Sequence, residues 1–269
     1  MFKAKHREGI PFLLKKATVP KHPSECSMGD SLDARQSQLV NECGIRTRAR
    51  KELHLAIGYY TLYIMTVYCP ITKRWWLVNK RYSHYAKMRS KLKKLHSKCD
   101  AQPELKGTSF VRSFQALLSL PFPKKRYVDD NQKTIEERTL RFKALLSRMM
   151  HFHAECFYFA QHWNDRGRVL PRVFIQVYEL LQSFLEISPD VAHELEMYQA
   201  HLKTDEGNED EATDESCAIC MDDFDESEGG VIRLSCSHVY HRDCVMDWIM
   251  EKKACPICRA NVASGTIVR

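Results

Sequence analysis

CAICMDDFDESEGGVIRLSCSHVYHRDCVMDWIMEKKACPICRA, residues 217–260, is the stretch that decides how this chain is organised. Cys217, Cys220, Cys236, His238, His241, Cys244, Cys255 and Cys258 follow one another with gaps of 2, 15, 1, 2, 2, 10 and 2 residues. Eight soft or borderline donors suffice for two tetrahedral zinc sites. A two-residue gap lets both side chains of a pair face one ion. The ten-residue gap accommodates a short helix, Cys244–Met250, whose apolar members are Val245, Trp248 and Ile249. So short a segment buries little apolar surface, and metal must supply much of its folding free energy. Spacing alone leaves open whether the two sites follow one another or interleave.

Working outward, TDEGNEDEATDES (204–216) has no apolar periodicity. With the Ser188–Pro189 break and a short helix at Val191–His201, residues 189–215 read as a helical and acidic linker. Charge separates the two sides of it. Residues 204–269 hold 6 basic and 15 acidic groups, and residues 1–203 hold 35 and 19, so the formal +7 conceals two parts of opposite sign. A basic body seeks phosphate, on nucleic acid or on anionic lipid. At 44% hydrophobic and 28% charged, the chain is neither collagenous nor wholly disordered. The five cysteines outside the cluster are scattered and odd in number, which argues against a secreted disulfide framework and for a reducing, cytoplasmic or nuclear setting. The opening residues lack the apolar core of a signal peptide. LHLAIGYYTLYIMTVYCPI (53–71) is apolar, but its Tyr, Thr and Val content suits paired strands better than a membrane span.

Residues 1–50, interrupted by Pro11, Pro20, Pro23, Gly29 and Gly44, read as a flexible basic arm with a possible short helix in residues 27–40. A three-stranded meander is expected over residues 51–79: two strands meeting near Gly58, a turn at Cys69–Arg74, then WWLVNK. KRYSHYAKMRSKLKKLHSK (80–98) changes period, with Tyr85, Met88, Leu92 and Leu95 on one helical face and a basic outer face. A short helix ends at Pro121, a proline-led loop PFPKKRYVDDNQ follows, and three helical stretches are expected at 134–150, 152–163 and 172–185. The fold class is α+β: a small antiparallel sheet with a helical subdomain, and a small two-zinc domain after it.

Several cations flank short apolar stretches in the body. Arg81 stands just before Tyr82, Lys125 lies on the proline loop, and Arg138 begins a helix; together they can converge on a phosphate cluster. Tyr127 and Val128 form an apolar tip beside Lys124, Lys125 and Arg126, a pairing suited to an anionic membrane surface.

The cysteine and histidine pattern resembles a RING finger with histidines in the fourth and fifth ligand positions. The resemblance implies interleaved sites with structural Zn2+: Cys217, Cys220, His241 and Cys244 on the first, and Cys236, His238, Cys255 and Cys258 on the second. It further implies recruitment of a ubiquitin-loaded ubiquitin-conjugating enzyme through Ile219, Trp248 and Pro256, and a ubiquitin-positioning cation at Arg259. Such domains use no nucleophile of their own. They hold the ubiquitin thioester in an attackable pose, an orientation effect, so that ubiquitin passes to a lysine of a protein substrate that the sequence does not name.

Residues 51–188 resemble a PX domain, a phosphoinositide-binding module, on WWLVNKRYSHY, LSLPFPKKRYV, IEERTLRFKALLSRM and a closing helix ending LLQSFLEI. That resemblance implies a lipid site in which Arg81 binds the 3-phosphate, Tyr82 stacks on the inositol, Lys125 takes the 1-phosphate side and Arg138 the 4- and 5-hydroxyls, while Tyr127 and Val128 enter the bilayer. Together the two resemblances imply a membrane-recruited RING-type ubiquitin ligase. It would be cytoplasmic, without a transmembrane segment, and peripheral on endosomal membranes carrying phosphatidylinositol 3-phosphate. The alternative is a phosphoinositide-binding trafficking adaptor whose RING finger is structural. Nucleic acid is disfavoured as partner because no base-reading motif accompanies the basic helix.

Overall fold

The computed structural model describes residues 44–55, 58–69, 72–126, 130–199, 216–224 and 230–268. Strands β1 (Gly44–His54), β2 (Gly58–Cys69) and β3 (Arg74–Arg81) form the expected antiparallel meander. Its first strand begins at Gly44, inside the stretch read as a flexible arm. The rest of that arm, with the helix expected in it, lies outside the described residues.

Helices α1 (Tyr82–Asp100), α2 (Ser109–Ser119), α3 (Gln132–Asp165) and α4 (Arg172–Leu185) pack on one face of the meander. Thr108 caps α2 by accepting from the Val111 N–H, and Asn131 caps α3 by accepting from the Thr134 N–H. The expected division near residue 151 does not occur: α3 is one 34-residue helix, because no glycine or proline interrupts it. Helix α5 (Pro189–Gln199) is part of the body, with Val191 and Ala192 buried and Glu194 paired to Arg74 at 2.8 Å. Residues 200–215 of the expected linker lie outside the described residues.

The RING segment contributes β4 (Val231–Leu234), β5 (Val239–His241) and helix α6 (Arg242–Lys252). Beyond the 217–260 stretch, where the sequence suggests no element, lies a strand, β6 (Ser264–Ile267), which pairs with β3 on one side and β4 on the other. The result is one six-stranded sheet in the order β1-β2-β3-β6-β4-β5, where two separate domains were expected. Gly265 lies at the crossing point. A Cβ there would stand 2.1 Å from the Arg233 carbonyl oxygen and 2.8 Å from Trp75 Nε1, so only glycine fits.

Side chains alternate across a strand, so the meander feeds two cores. Tyr63, Met65, Val67, Trp76 and Val78 face the helices. Leu62, Ile64, Tyr68, Trp75 and Leu77 face the RING segment, packing with Phe224, Ile232, Val245, Ile249 and Val262. With both faces covered, Thr61–Cys69 is buried at every position.

Candidate metal centres and anion cleft

The hairpin β4–β5 and the two loops around Cys217–Cys220 and Cys255–Cys258 bring the eight predicted ligands into two groups. Cys217, Cys220, His241 and Cys244 form one, and Cys236, His238, Cys255 and Cys258 the other, with ligand atoms within 4.8 Å of one another in each. The arrangement is interleaved, which spacing had left open. Cys220 Sγ lies 3.2 Å and Cys244 Sγ 3.9 Å from His241 Nδ1, and Cys236 Sγ lies 3.4 Å from His238 Nδ1. Both histidines therefore turn the same ring nitrogen inward. Burial raises the Cys255 thiol pKa, but the Tyr240 hydroxyl and the Cys258 and Ile257 amides stabilise its thiolate and bring it to about 7. Four donors per group, all cysteine or histidine, fit two structural Zn2+ ions.

Around these centres lie the residues expected to meet a conjugating enzyme. Ile219 is 43% and Trp248 44% exposed, which is high for apolar side chains of a small domain. Trp248 Nε1 donates to the Ala254 carbonyl at 2.9 Å, tying α6 to the loop that carries Pro256. Pro256 is half-buried. Met221 and Ile257 are also exposed; sequence reasoning missed them, although each adjoins a ligand. Arg259 is exposed in a left-handed conformation, φ 59°, its N–H bonded to the Cys255 carbonyl at 3.0 Å.

The body holds a cleft of about 490 Å³ lined by Lys51, Tyr59, Tyr60, Thr61, Arg81, Tyr82, Ser83, Lys125, Arg126, Asp130 and Arg138. Arg81, Tyr82, Lys125 and Arg138 thus share one wall system although up to 57 positions separate them. Arg81 ends β3, and α1 starts at Tyr82. The Arg81 guanidinium stands 5.8 Å from the Tyr60 ring centre. Arg81 Nε and Ser83 Oγ are buried with no partner among the described residues, an arrangement that suits an acceptor from outside the chain.

Arg138 differs from the expectation that it is free for ligand hydroxyls. It is 4% exposed, donates from Nη1 to both Asp130 oxygens at 2.6 and 2.5 Å, and stands 4.3 Å from the Tyr82 ring centre. Thr61 donates to the same carboxylate at 3.1 Å. The cleft therefore has an unsatisfied cationic end at Arg81 and an ion-paired end at Arg138. Glu137, the nearest carboxylate in sequence, pairs with Arg141 instead.

Tyr127 and Val128 lie outside the described residues. A different apolar edge adjoins the cleft: Leu53, Leu55 and Tyr59, at the β1–β2 turn, are 62%, 102% and 67% exposed. Sequence reasoning had placed these residues within strands and left them without a role. Among the described residues, no helix is long and apolar enough to cross a membrane.

Residues 215–259 match the Ring finger domain family. Similar proteins include an E3 ubiquitin ligase BIG BROTHER-related of Arabidopsis thaliana, 41% identical over 61 residues, 23% of this chain and 18% of that one. The RING-H2 finger protein ATL5 of the same plant is 31% identical over 80 residues, 30% of this chain and 29% of that one. The E3 ubiquitin-protein ligase arkadia of Xenopus tropicalis is 43% identical over 63 residues, 23% of this chain and 6% of that one. The chain thus spans less than a third of each of these relatives. No solved structure matches the chain.

Proposed function

We propose that this chain is a RING-type ubiquitin-protein ligase that works at an anionic membrane surface. The observation that carries the ligase reading is the pair of interleaved ligand groups flanked by exposed apolar residues, in a segment similar to E3 ligases. Ile219, Met221, Trp248 and Ile257 leave several exposed apolar side chains around the ligand groups, a surface suited to a partner that covers them. A ubiquitin-conjugating enzyme is that partner, with Trp248 as the anchor and Pro256 beside it. Arg259, a fixed planar donor just past the last ligand, holds ubiquitin against the enzyme. The zinc ions keep this surface in shape and offer no open position for chemistry.

The membrane half rests on the cleft. Arg81, Ser83, Lys51 and Lys125 supply donors for one phosphate, and Tyr82 a face for the ring that bears it. Asp130 stands at the other end, where it accepts ligand hydroxyls and repels a further phosphate. A singly phosphorylated inositol headgroup, as in phosphatidylinositol 3-phosphate, suits that division of charge. Leu53, Leu55 and Tyr59 add a shallow apolar contact next to it, with Tyr127 and Val128 a second candidate edge. Endosomal membranes are where that lipid would place the protein.

Two measurements test the reading. Ubiquitin discharge from a loaded conjugating enzyme should be accelerated by the full chain and fall to the uncatalysed rate in Cys220→Ser. Co-sedimentation should be selective for vesicles carrying phosphatidylinositol 3-phosphate. Discharge at the uncatalysed rate across a broad panel of conjugating enzymes would sink the ligase half; equal pelleting with every anionic lipid, or none, would sink the lipid half.

A further inference from the structure

The RING segment meets the body through three sets of contacts that differ in kind. The first is backbone pairing. Strand β6 pairs Arg74 with Thr266 and Trp75 with Gly265 on one side, and Arg233 with Thr266 and Leu234 with Gly265 on the other. The Leu77 N–H also bonds the Ala263 carbonyl at 2.8 Å. The second is the apolar core shared by Trp75, Leu77 and Ile64 with Val245, Ile249 and Val262.

The third is a charge ladder. Arg46, Arg48 and Arg50 alternate along β1 and leave it on one side. Asp243, Asp247 and Glu251 recur every fourth residue along α6 and form one stripe. Arg46 Nη2 reaches Asp243 Oδ1 at 2.6 Å, Arg48 donates to the Asp247 carbonyl at 3.1 Å and to Glu251 Oε2 at 3.2 Å, and Arg50 donates to the Glu251 carbonyl. A strand advances about 6.7 Å in two residues and a helix about 6 Å in four, so the two rows stay in step. A chance encounter between two tethered domains would not match both periods.

The ladder joins the two functional surfaces. Helix α6 carries Trp248. Strand β1 runs on from Arg50 to Lys51, on the cleft wall, and Arg50 pairs with Glu52, which accepts from the Tyr60 hydroxyl of the same wall at 2.6 Å. We propose that β6 and the arginines of β1 are positioning residues that hold the conjugating-enzyme surface at a fixed place relative to the anion cleft. The loaded enzyme is then presented at a set distance from the surface the cleft binds, instead of on a free tether. The docking stands on the contacts alone; its consequence for ubiquitin transfer rests on the ligase and membrane readings above.

Backbone amide relaxation of the full chain tests the docking. Wild type should show one rotational correlation time for the body and the RING finger, and Gly265→Val, which forces β6 out of the sheet, should show two. Because Gly265→Val also disturbs the RING finger's own β4 pairing, Arg46→Glu/Arg48→Glu serves as the second lesion, setting two carboxylates against Asp243 and Glu251, with Asp243→Arg/Glu251→Arg added to restore the single time. A separate, shorter time for the RING finger in wild type would overturn the docking.

The positioning role is read on phosphatidylcholine vesicles containing phosphatidylinositol 3-phosphate and an anchored lysine-bearing acceptor. Transfer to that acceptor should fall about tenfold in the uncoupled variants, the scale of a lost orientation effect, while discharge to free lysine in solution stays within about twofold. Equal transfer by docked and uncoupled forms overturns the role. A wild type that neither pellets nor discharges overturns the proposed function and the positioning role with it, while the relaxation comparison still decides the docking.

Discussion

In the body, Phe110, Phe114, Phe142, Phe152 and Phe174 are at most 2% exposed, and their rings pack on one another and on Tyr85 at centroid distances such as 5.0 Å for Phe110–Phe174 and 3.9 Å for Tyr85–Phe142. In the RING finger the buried set is mostly aliphatic, with Phe224 and Tyr240 as its aromatic members, and the chain turns around two groups of ligands. One region is held by apolar burial and the other by metal. The difference decides which perturbation each feels. It also bears on why they are joined: Trp75, Leu77 and Ile64 of the body's sheet enlarge the small apolar core of the RING finger, which its metal centres hold in shape.

The largest expected effect is that of removing zinc. Excess chelator should unfold the RING finger and abolish ubiquitin discharge, while circular dichroism at 222 nm retains the helices of the body. The outer face of the sheet would then be bare, and the melting temperature of the body should fall by about 5 °C or more. An unchanged melting temperature would mean that the shared core contributes nothing to the body. Trp248→Ala comes next, weakening conjugating-enzyme binding about 30-fold, or about 2 kcal/mol, with vesicle binding intact. Titration calorimetry with both partners checks that separation.

Acid should separate the regions differently. His153 is buried, stacked on Tyr178 at 4.6 Å, and its Nε2 has no partner among the described residues. Burial lowers its pKa from 6.5 to about 4. The unfolded chain therefore binds a proton between those values that the folded body refuses. Stability is complete above pH 6.5 and is lost as pH falls toward 4, by about 2 kcal/mol at pH 5. His153→Phe should remove that increment from the difference between urea melts at pH 7 and pH 5, leaving the acid loss of the zinc ligands and of His84, whose pKa burial also lowers. Equal pH dependence in the two proteins would break the assignment.

Smaller effects concern the cleft. Arg81→Ala should reduce affinity for singly phosphorylated inositol lipid about tenfold, the value of a charge-assisted hydrogen bond, without changing discharge. Asp130→Asn should leave that lipid bound and raise affinity for multiply phosphorylated headgroups by about threefold or more, since one repelling charge is removed and the buried Arg138 loses its carboxylate. Unaltered selectivity would show that Asp130 only holds Arg138.

Legibility differed between the same two regions. All eight ligands could be read from the chain because metal coordination needs particular donors at short, regular gaps. The cleft residues Arg81, Tyr82, Lys125 and Arg138 were named together from local motifs, but the Asp130 carboxylate bound to Arg138 was not, since charge pairing leaves no periodic trace. Strand β1 was missed from Gly44 to Arg50 because its alternation, Arg46, Arg48, Arg50, is one of charge, and an arginine-rich stretch looks like a solvated arm until its acidic counterpart is in view. Strand β6 was missed because SGTI is short and polar, with a glycine at its centre.

What the sequence determined by itself is the local chemistry: two zinc centres, an apolar helix beside them, three strands followed by helices, and cations ahead of and behind a proline loop. Each is set by residue type and near-neighbour spacing. Only the tertiary structure decided that the RING finger lies against the sheet, that the last strand closes the gap between them, and that the apolar run Thr61–Cys69 is buried on both faces. Those outcomes depend on matching a two-residue step in β1 to a four-residue step in α6, about 200 positions apart. Neither row reveals its partner until the fold sets them side by side.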